Sequence, residues 1–519
     1  MQSFKLSFKS SKHSRSLDSP NLPLNNTDTS SRPSRFSLTR RCTRLLTALI
    51  LISLFLFFSR FNTTTVPPWL QEQALAEKHK LPPLYEEYHD FERSLPQHNL
   101  SLPFPEGRDA KFFWAANHVT SSGWGNAMQE LVMNAVLAHT TKRAFVFNNF
   151  TWERDALDYS TFNGKLIPSR IPLSAIISGP IIGSSFPPGD AAPRAVSREY
   201  FKKVCPNPTI IDSWELNEHL RLDNNVPALV IFNKWVEKLN DIDDPCVEIR
   251  QESFQLFEIW LFGSKRILSM WPILSKSPIL ADFSWSPLVH RAYAENAHLF
   301  TPKSFRYLPS FMRPSHTPPM PTTLHDVNPI LTSKEMDPVP GLLALHIRRG
   351  DFAAHCSHLA NWSSDWNGFN QFSALPDKFR VPTDGGWGET TPANTKTYLK
   401  ACFPTIEQIV EKVRQVLDDQ KRLYGSGKEL RSVYVMTNGD VEWLQQLREA
   451  LLRVKRWDGI GTSRDLELGW EAKPVAQAVD MLIGQRAQVF IGNGFSSLTS
   501  NIVMLRMAGN VPPEDTRFW

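Results

Sequence analysis

AQVFIGNGFSSLTSNIVMLR, residues 487–506, decides how the rest of the chain is read. Gln488-Val489-Phe490-Ile491 is a short apolar run of strand character. Gly492-Asn493-Gly494-Phe495-Ser496-Ser497 then breaks it with glycines and hydroxyls and leads into a helix over Ser497–Met507. The same alternation runs upstream. Pro474–Arg486 is a helix, Trp443–Leu452 another, and Ser432–Met436 a strand. Ile406, Ile409, Val410, Val413 and Leu417 share one helix face. Leu342–Ile347 reads as a buried strand, followed by a long Trp- and Gly-rich loop. Strands alternating with helices specify an α/β fold with a parallel, doubly wound sheet.

A second, weaker copy of the pattern lies nearer the N-terminus. Phe112-Phe113-Trp114 opens an apolar run. Gly125-Asn126 starts a helix carrying Met128, Leu131, Val132, Ala135 and Val136 at helical spacing, and Arg143–Phe147 follows as a strand. Residues 150–330 are Pro-rich and irregular, with one helical stretch expected near Glu248–Phe262.

The chain has 519 residues and a net charge of +5. Nine Lys/Arg against two Asp give residues 1–44 a charge of +7, so the remainder is slightly acidic. The body is therefore not a nucleic-acid-binding domain. Leu45–Ser59 (LLTALILISLFLFFS) is uncharged, with Arg40, Arg41 and Arg44 before it and Arg60 after it. It predicts a single signal-anchor helix with the N-terminus cytosolic and the body lumenal. A cleaved signal peptide fits poorly after so long a polar leader. The expected organisation is a basic tail (1–44), an anchor (45–59), a Pro-rich stem (60–104) and two domains (105–335 and 336–519). Beyond the anchor lie Cys205, Cys246, Cys356 and Cys402, an even number suited to two disulfides. Proximity favours 205–246 with 356–402 among the three connectivities.

In a doubly wound sheet, ligands bind at the carboxyl ends of the strands. Three such ends are polar here: His346-Ile347-Arg348-Arg349-Gly350-Asp351, Thr437-Asn438-Gly439-Asp440, and Gly492–Ser497. Free amides and hydroxyls at a helix N-terminus form an anion cradle, and arginine adds a permanent planar charge. Together they predict a diphosphate site.

These residues resemble the GDP-fucose protein O-fucosyltransferase family and, more distantly, the core α1,6-fucosyltransferases. Three blocks carry the resemblance: Gly123-Trp124-Gly125-Asn126 with the strand after its helix, His346-Ile347-Arg348-Arg349, and Asp480 with residues 487–506. The family usually has a Gln where Ala127 stands. The resemblance implies a GT-B-like fold, two Rossmann-like domains facing across a cleft, and inverting transfer of fucose from GDP-fucose to a protein or glycan hydroxyl. It implies donor contacts from Arg348, His346, Asp480, Ser496, Ser497, Gly125 and Asn126. Arg348 would stabilise the leaving diphosphate. Glu130 and Asp351 are the candidate bases.

No cofactor or metal is expected. The family generally transfers without one, and Asp241-Ile242-Asp243 reads as an acidic turn. His355, Cys356 and His358 lack a fourth ligand. Trp362, Trp366, Phe369, Phe372 and Trp387 make the loop after the arginines the leading acceptor platform, with Lys111–Phe113 and the Trp124 loop opposite. The expected setting is the Golgi or endoplasmic reticulum membrane. The rivals are a same-fold transferase with another nucleotide sugar, a non-catalytic sugar- or nucleotide-binding descendant, and a membrane-anchored interaction protein.

Overall fold

The structure, a computed structural model, describes residues 80–219, 225–303, 336–350, 352–386 and 388–519, with Asn328 and Thr332. The expected anchor at 45–59 and the candidate base Asp351 lie outside these residues. Among the described residues, no helix is long and apolar enough to cross a membrane.

Two five-stranded sheets organise the body, and every strand pair within them is parallel. The first half runs α1 (Glu86–Arg93), β1 (Phe112–Ala115), α2 (Trp124–Thr140), β2 (Ala144–Phe147), β3 (Val196–Ser197), β4 (Thr209–Ile211), α3 (Ala228–Asn240), β5 (Cys246–Ile249) and α4 (Pro287–Glu295). Its sheet order is β3-β2-β1-β5-β4. The second half runs β6 (Val339–Ile347), α5 (Phe352–Asn361), α6 (Pro392–Cys402), α7 (Ile406–Tyr424), β7 (Ser432–Thr437), α8 (Val441–Leu452), β8 (Gly459–Thr462), α9 (Ala476–Gln485), β9 (Ala487–Gly492), α10 (Ser497–Ala508) and β10 (Thr516–Phe518). Its order is β8-β7-β6-β9-β10. Both sheets have their first strand at the centre, so the strand order reverses beside β1 and beside β6. Those are the topological switch points at which α/β sheets bind ligands.

The period-two alternation of each strand divides the core. Leu343, Leu345, Ile347, Val433, Val435, Val489 and Ile491 point to one face of the second sheet, against Ile409, Val413, Leu444 and Leu447. Leu342, Ala344, Tyr434, Met436 and Phe490 point to the other, into a large cluster that also takes in α2 and the first sheet's Phe113, Phe145, Val247 and Ile249. Helix α2 is buried on nearly every side, as a helix apolar all round must be. Helix α7 opens on a capping box between Thr405 and Gln408.

The halves are also laced by hydrogen bonds. Trp285 Nε1 donates to Gln485 Oε1 at 2.8 Å. Asn296 pairs with the Glu467 backbone at both its N–H and its carbonyl, at 2.8 and 2.9 Å. Buried arginines staple each half internally. Arg143 donates to the carbonyls of Leu239, Ile242 and Asp244, and Arg506 to those of Gln485, Ala487 and Asp515.

Four expectations need correction. Glu248–Phe262 is not one helix. It holds the end of β5, a loop and a single turn at Ile259–Phe262, and the helix of this region is α3. The stretch after the arginines is not an open loop, since α5 occupies 352–361. Residues 80–104, read as the end of a stem, pack into the body: Tyr85, Tyr88 and Leu95 are core residues. The aromatic platform is largely interior. Trp366, Phe369 and Phe372 are buried, Trp366 lying 4.5 Å from Phe518 and Phe372 4.9 Å from Trp271, centroid to centroid. Trp387 lies outside the described residues, and Phe112 and Phe113 are buried in β1. The cysteine pairing is the expected one, Cys205–Cys246 and Cys356–Cys402.

Candidate functional site

Strand β6 ends at Ile347 beside β9, so His346 and Arg348 stand at the second sheet's switch point, where β9 opens into the Gly492–Ser497 turn. His346 Nδ1 lies 2.7 Å from Thr499 Oγ1. Burial, and then the Arg348 charge, push the imidazole down to about 3, so it stays neutral. Trp519 Nε1 donates to the His346 carbonyl at 2.9 Å.

The two arginines part company here. Arg349 is buried between two rings, with its guanidinium carbon 4.3 Å from the Phe403 centroid and 4.2 Å from that of Trp443. It donates to the Pro404 carbonyl. Its backbone is tied to the Asn438 side chain by two bonds, at 2.7 and 3.0 Å. That arginine belongs to the fold. Arg348 has a different ring partner. It is half-buried, with its guanidinium carbon 4.6 Å from the Phe352 ring centroid.

The glycine turn is held from several sides. Asn493 receives Phe495 N–H and donates to the Cys402 carbonyl at 2.7 Å, linking the turn to the second disulfide. Gly494 offers its carbonyl to Asn367 N–H and to Asn370 Nδ2, both at 2.8 Å. A Cβ on Gly494 would sit 2.3 Å from the Trp366 ring. So the turn must be glycine for packing, and its Ser496-Ser497 end starts α10.

The first half reaches this turn through α2. A Cβ on Gly125 would lie 2.7 Å from Ser497 Oγ and 2.8 Å from Leu498 N. Asn501 Nδ2 donates to the Gly125 carbonyl at 2.7 Å. Gln129 Nε2 donates to Ser500 Oγ at 3.1 Å and to Asn367 Oδ1 at 3.2 Å. Asn126 Nδ2 donates to Ser122 Oγ at 2.9 Å. The structure thus brings Gly125 against Ser497, with Asn126 and Ser496 as their chain neighbours, and two helix N-termini converge on one place. Aligned N-termini concentrate free amides and positive dipole ends.

Asp480 is set differently. It sits on α9, buried, with Tyr434 Oη donating to one oxygen at 2.8 Å and Ser463 Oγ to the other at 2.9 Å. Burial pushes its carboxyl up to about 6. Ser463 also accepts Thr437 N–H at 3.0 Å, so Asp480 braces the carboxyl end of β7. Glu130 is buried on α2 and accepts Val119 N–H at 2.6 Å. Its other oxygen is buried without a hydrogen-bond partner. Desolvation pushes its carboxyl up to about 8. It lines a small cavity with Trp124, Asn134 and His118. Among the described residues, no three His, Cys, Asp or Glu are grouped to hold a metal ion. Asp241 and Asp243 flank Ile242, whose carbonyl takes Arg143.

Residues 331–508 match the family described as GDP-fucose protein O-fucosyltransferase. The resemblance read from the motifs holds for this region, which matches a glycosyltransferase family. No curated protein sequence matches the chain. Among solved structures, POFUT1 in complex with GDP-fucose aligns with a TM-score of 0.44 at 15% identity, over 79% of this chain and 98% of that one. POFUT1 in complex with GDP aligns at 0.40 and 15%, over 79% and 98%. NodZ α-1,6-fucosyltransferase soaked with GDP-fucose aligns at 0.34 and 11%, over 76% and 92%. The matched O-fucosyltransferase segment contains β6, Arg348, Asp480 and the whole Gly492–Ser497 turn. Glu130, Gly125 and Asn126 fall outside it.

Sequence reasoning missed the inter-helix contacts of Gln129 and Asn501. Their signal was faint: polar residues at positions where an apolar helix packs.

Proposed function

We propose that this protein is an inverting transferase that moves fucose from GDP-fucose to a hydroxyl of a protein or glycan. The observation that carries this reading is Arg348. In a segment matching the O-fucosyltransferase family, it follows β6 at the switch point with its guanidinium against the Phe352 ring, while Arg349 is consumed by packing. The acceptor oxygen would bond to the anomeric carbon as the bond from that carbon to the diphosphate breaks. Negative charge then grows on the departing GDP. Arg348, the amides of α10 and the Ser496 and Ser497 hydroxyls are the groups available to meet it. The proton released by the acceptor would pass to a carboxylate, for which Glu130 is the described candidate.

The uncharged apolar stretch 45–59, with arginines on both sides, and two disulfides support a membrane-bound enzyme of the secretory pathway, in the Golgi or endoplasmic reticulum, with its body lumenal. The test is GDP release from GDP-fucose, GDP-mannose and UDP-sugars, with Arg348→Ala alongside. Turnover of GDP-fucose alone, lost in the variant, is the expected result. Turnover of a different donor rejects fucose. Absence of both turnover and GDP binding rejects the transferase reading.

A further inference from the structure

A second pocket lies on the first half, across the carboxyl ends of three of its strands. Trp114 reaches it from β1, His118 from the turn after β1, Asn149 from the loop after β2, and Gln251 from the turn after β5; Arg154, Arg170 and Arg198 complete the wall. It spans the switch point between β1 and β5, where this sheet too would bind a ligand. Its volume is about 250 Å³. That is below the roughly 300–1,000 Å³ of clefts holding a whole drug-sized ligand, and suits one ring of a larger one.

The wall is positively charged. Arg154 gives its hydrogen bonds to the carbonyls of His118 and Gln251, and Arg170 to those of Arg154, Ala156 and Leu157. Carbonyl partners position a guanidinium without neutralising it. Arg198 pairs with Glu199, an open surface contact with side chains 40% and 46% exposed, of little strength. The wall holds one carboxylate, Asp155. The His118 ring registers this field: burial chiefly, then Arg154 and Arg198, hold it neutral. The pocket also adjoins the donor side of the molecule. Phe150, between Asn149 and Thr151 of the wall, packs edge-on against Trp124 at 5.5 Å, and Trp124 precedes Gly125.

We propose that this pocket is the acceptor subsite and takes a sugar ring bearing an anionic substituent: a carboxylate, sulfate or phosphate. The proposal rests on the transferase reading for the word acceptor, but not for the ligand chemistry. Planar amides and guanidiniums recognise ring hydroxyls and anions bidentately. A neutral glycan adds no anion to a wall whose three guanidiniums meet one lining carboxylate, Asp155, with Glu252 acting on Arg154 and Glu199 paired to Arg198.

Binding to the purified full chain by saturation-transfer NMR tests it. The probes are a hexuronate trisaccharide, a 6-phosphohexose disaccharide, a sulfated disaccharide, a neutral hexose trisaccharide and a Ser/Thr peptide. Saturation is expected on the anionic rings, and which anion responds best identifies the substituent. About 0.5 M salt should remove it, because the screening length then falls to a few ångströms. Arg198→Gln should weaken it about tenfold, the loss of one charge-assisted contact. Gln251 is exposed, so Gln251→Glu should repel the ligand without unfolding the chain. Equal saturation of the neutral trisaccharide, a response from the peptide alone, or unaltered anion binding in both variants overturns the proposal. GDP-fucose binding, measured on the same samples by calorimetry, reports separately on the transferase reading.

Discussion

Gly125 and Ser497 belong to different halves of the body, and a methyl on the first would stand 2.7 Å from the hydroxyl of the second. The approach is closed by backbone as well, since Leu498 N would be 2.8 Å away. Gly125→Ala therefore forces the two helices apart. Overpacking of this kind costs about 1–3 kcal/mol, which exceeds the ~1 kcal/mol of helix propensity gained. We expect a lower melting temperature and weaker GDP binding. Ser497→Ala should not rescue the variant, because the backbone contact remains. Thermal melts and calorimetry on the single and double variants check this. Full rescue would mean that the hydroxyl alone sets the spacing.

Arg348 and Arg349 are adjacent in sequence and, on the proposed reading, opposite in role. Arg348→Ala should lower donor turnover by about 10²–10³, the usual cost of losing one group that stabilises transition-state charge, with an unchanged melting temperature. Arg349→Ala should do the reverse. It removes two ring contacts worth ~0.5–2 kcal/mol each and empties space between Phe403 and Trp443. Arg349→Lys should recover little, because a compact ammonium does not replace a planar stacked group. Paired melts and GDP-release assays separate the two. Equal loss of stability in both variants would refute the division.

The second sheet was legible in the sequence because its strands, from Leu342, Ser432 and Gln488, are buried on both faces and read as unbroken apolar runs. The polar strand ends followed directly, and with them Arg348 and the Ser496-Ser497 turn. What remained hidden depends on tertiary approach. Nothing in Trp124–Thr140 shows that its N-terminus meets that of Ser497–Ala508. Helix α3, ALVIFNKWVEKLN, was passed over within a Pro-rich region, although its apolar residues recur at helical spacing. Trp366 looked like a sugar platform because aromatic residues in a long loop carry no mark of burial. Only Gly494, which must be small to admit its ring, records the contact.

Residues 81–97 tie the halves together before the first sheet begins. Tyr85 Oη donates to the Glu471 carbonyl at 2.7 Å, and Trp470 Nε1 to that of Leu81 at 2.7 Å, both in the second half. Glu92 accepts Ser174 N–H at 2.8 Å, and Gln97 donates to the Ala195 carbonyl at 2.7 Å, in the first. A chain starting at residue 80 should fold. One starting at 98 loses Tyr85, Tyr88 and Leu95 from the core, each worth about 1.5–3 kcal/mol of burial, and should be insoluble or melt far lower. Expression of both truncations, followed by melting, decides it. Equal stability would show that the segment merely lies on the surface.

Glu130 gives the chain a pH signature on its alkaline side. Burial pushes its carboxyl up to about 8, whereas in the unfolded chain it ionises near ~4.3. Between those values the native state holds a proton that the unfolded chain has released. Stability must therefore fall as pH rises through that window, with the loss complete above the upper value. Glu92, pushed to about 7, acts in the same direction over a narrower range. His118 and His346, both pushed down to about 3 chiefly by burial, oppose it on the acid side: stability there is lost as pH falls below ~6.5. The interval from about pH 7 to 8 thus belongs mainly to Glu130. Glu130→Gln cannot ionise and still offers Val119 an acceptor. Its melting temperature should hold across that interval while the wild type declines. If the carboxylate also takes the acceptor proton, wild-type turnover should rise through the same interval as the base forms, and the variant should lack that rise. Melting and turnover as a function of pH test the two roles separately. Parallel melting curves would deny Glu130 its buried proton, and an unchanged turnover profile would leave the carboxyl a structural one.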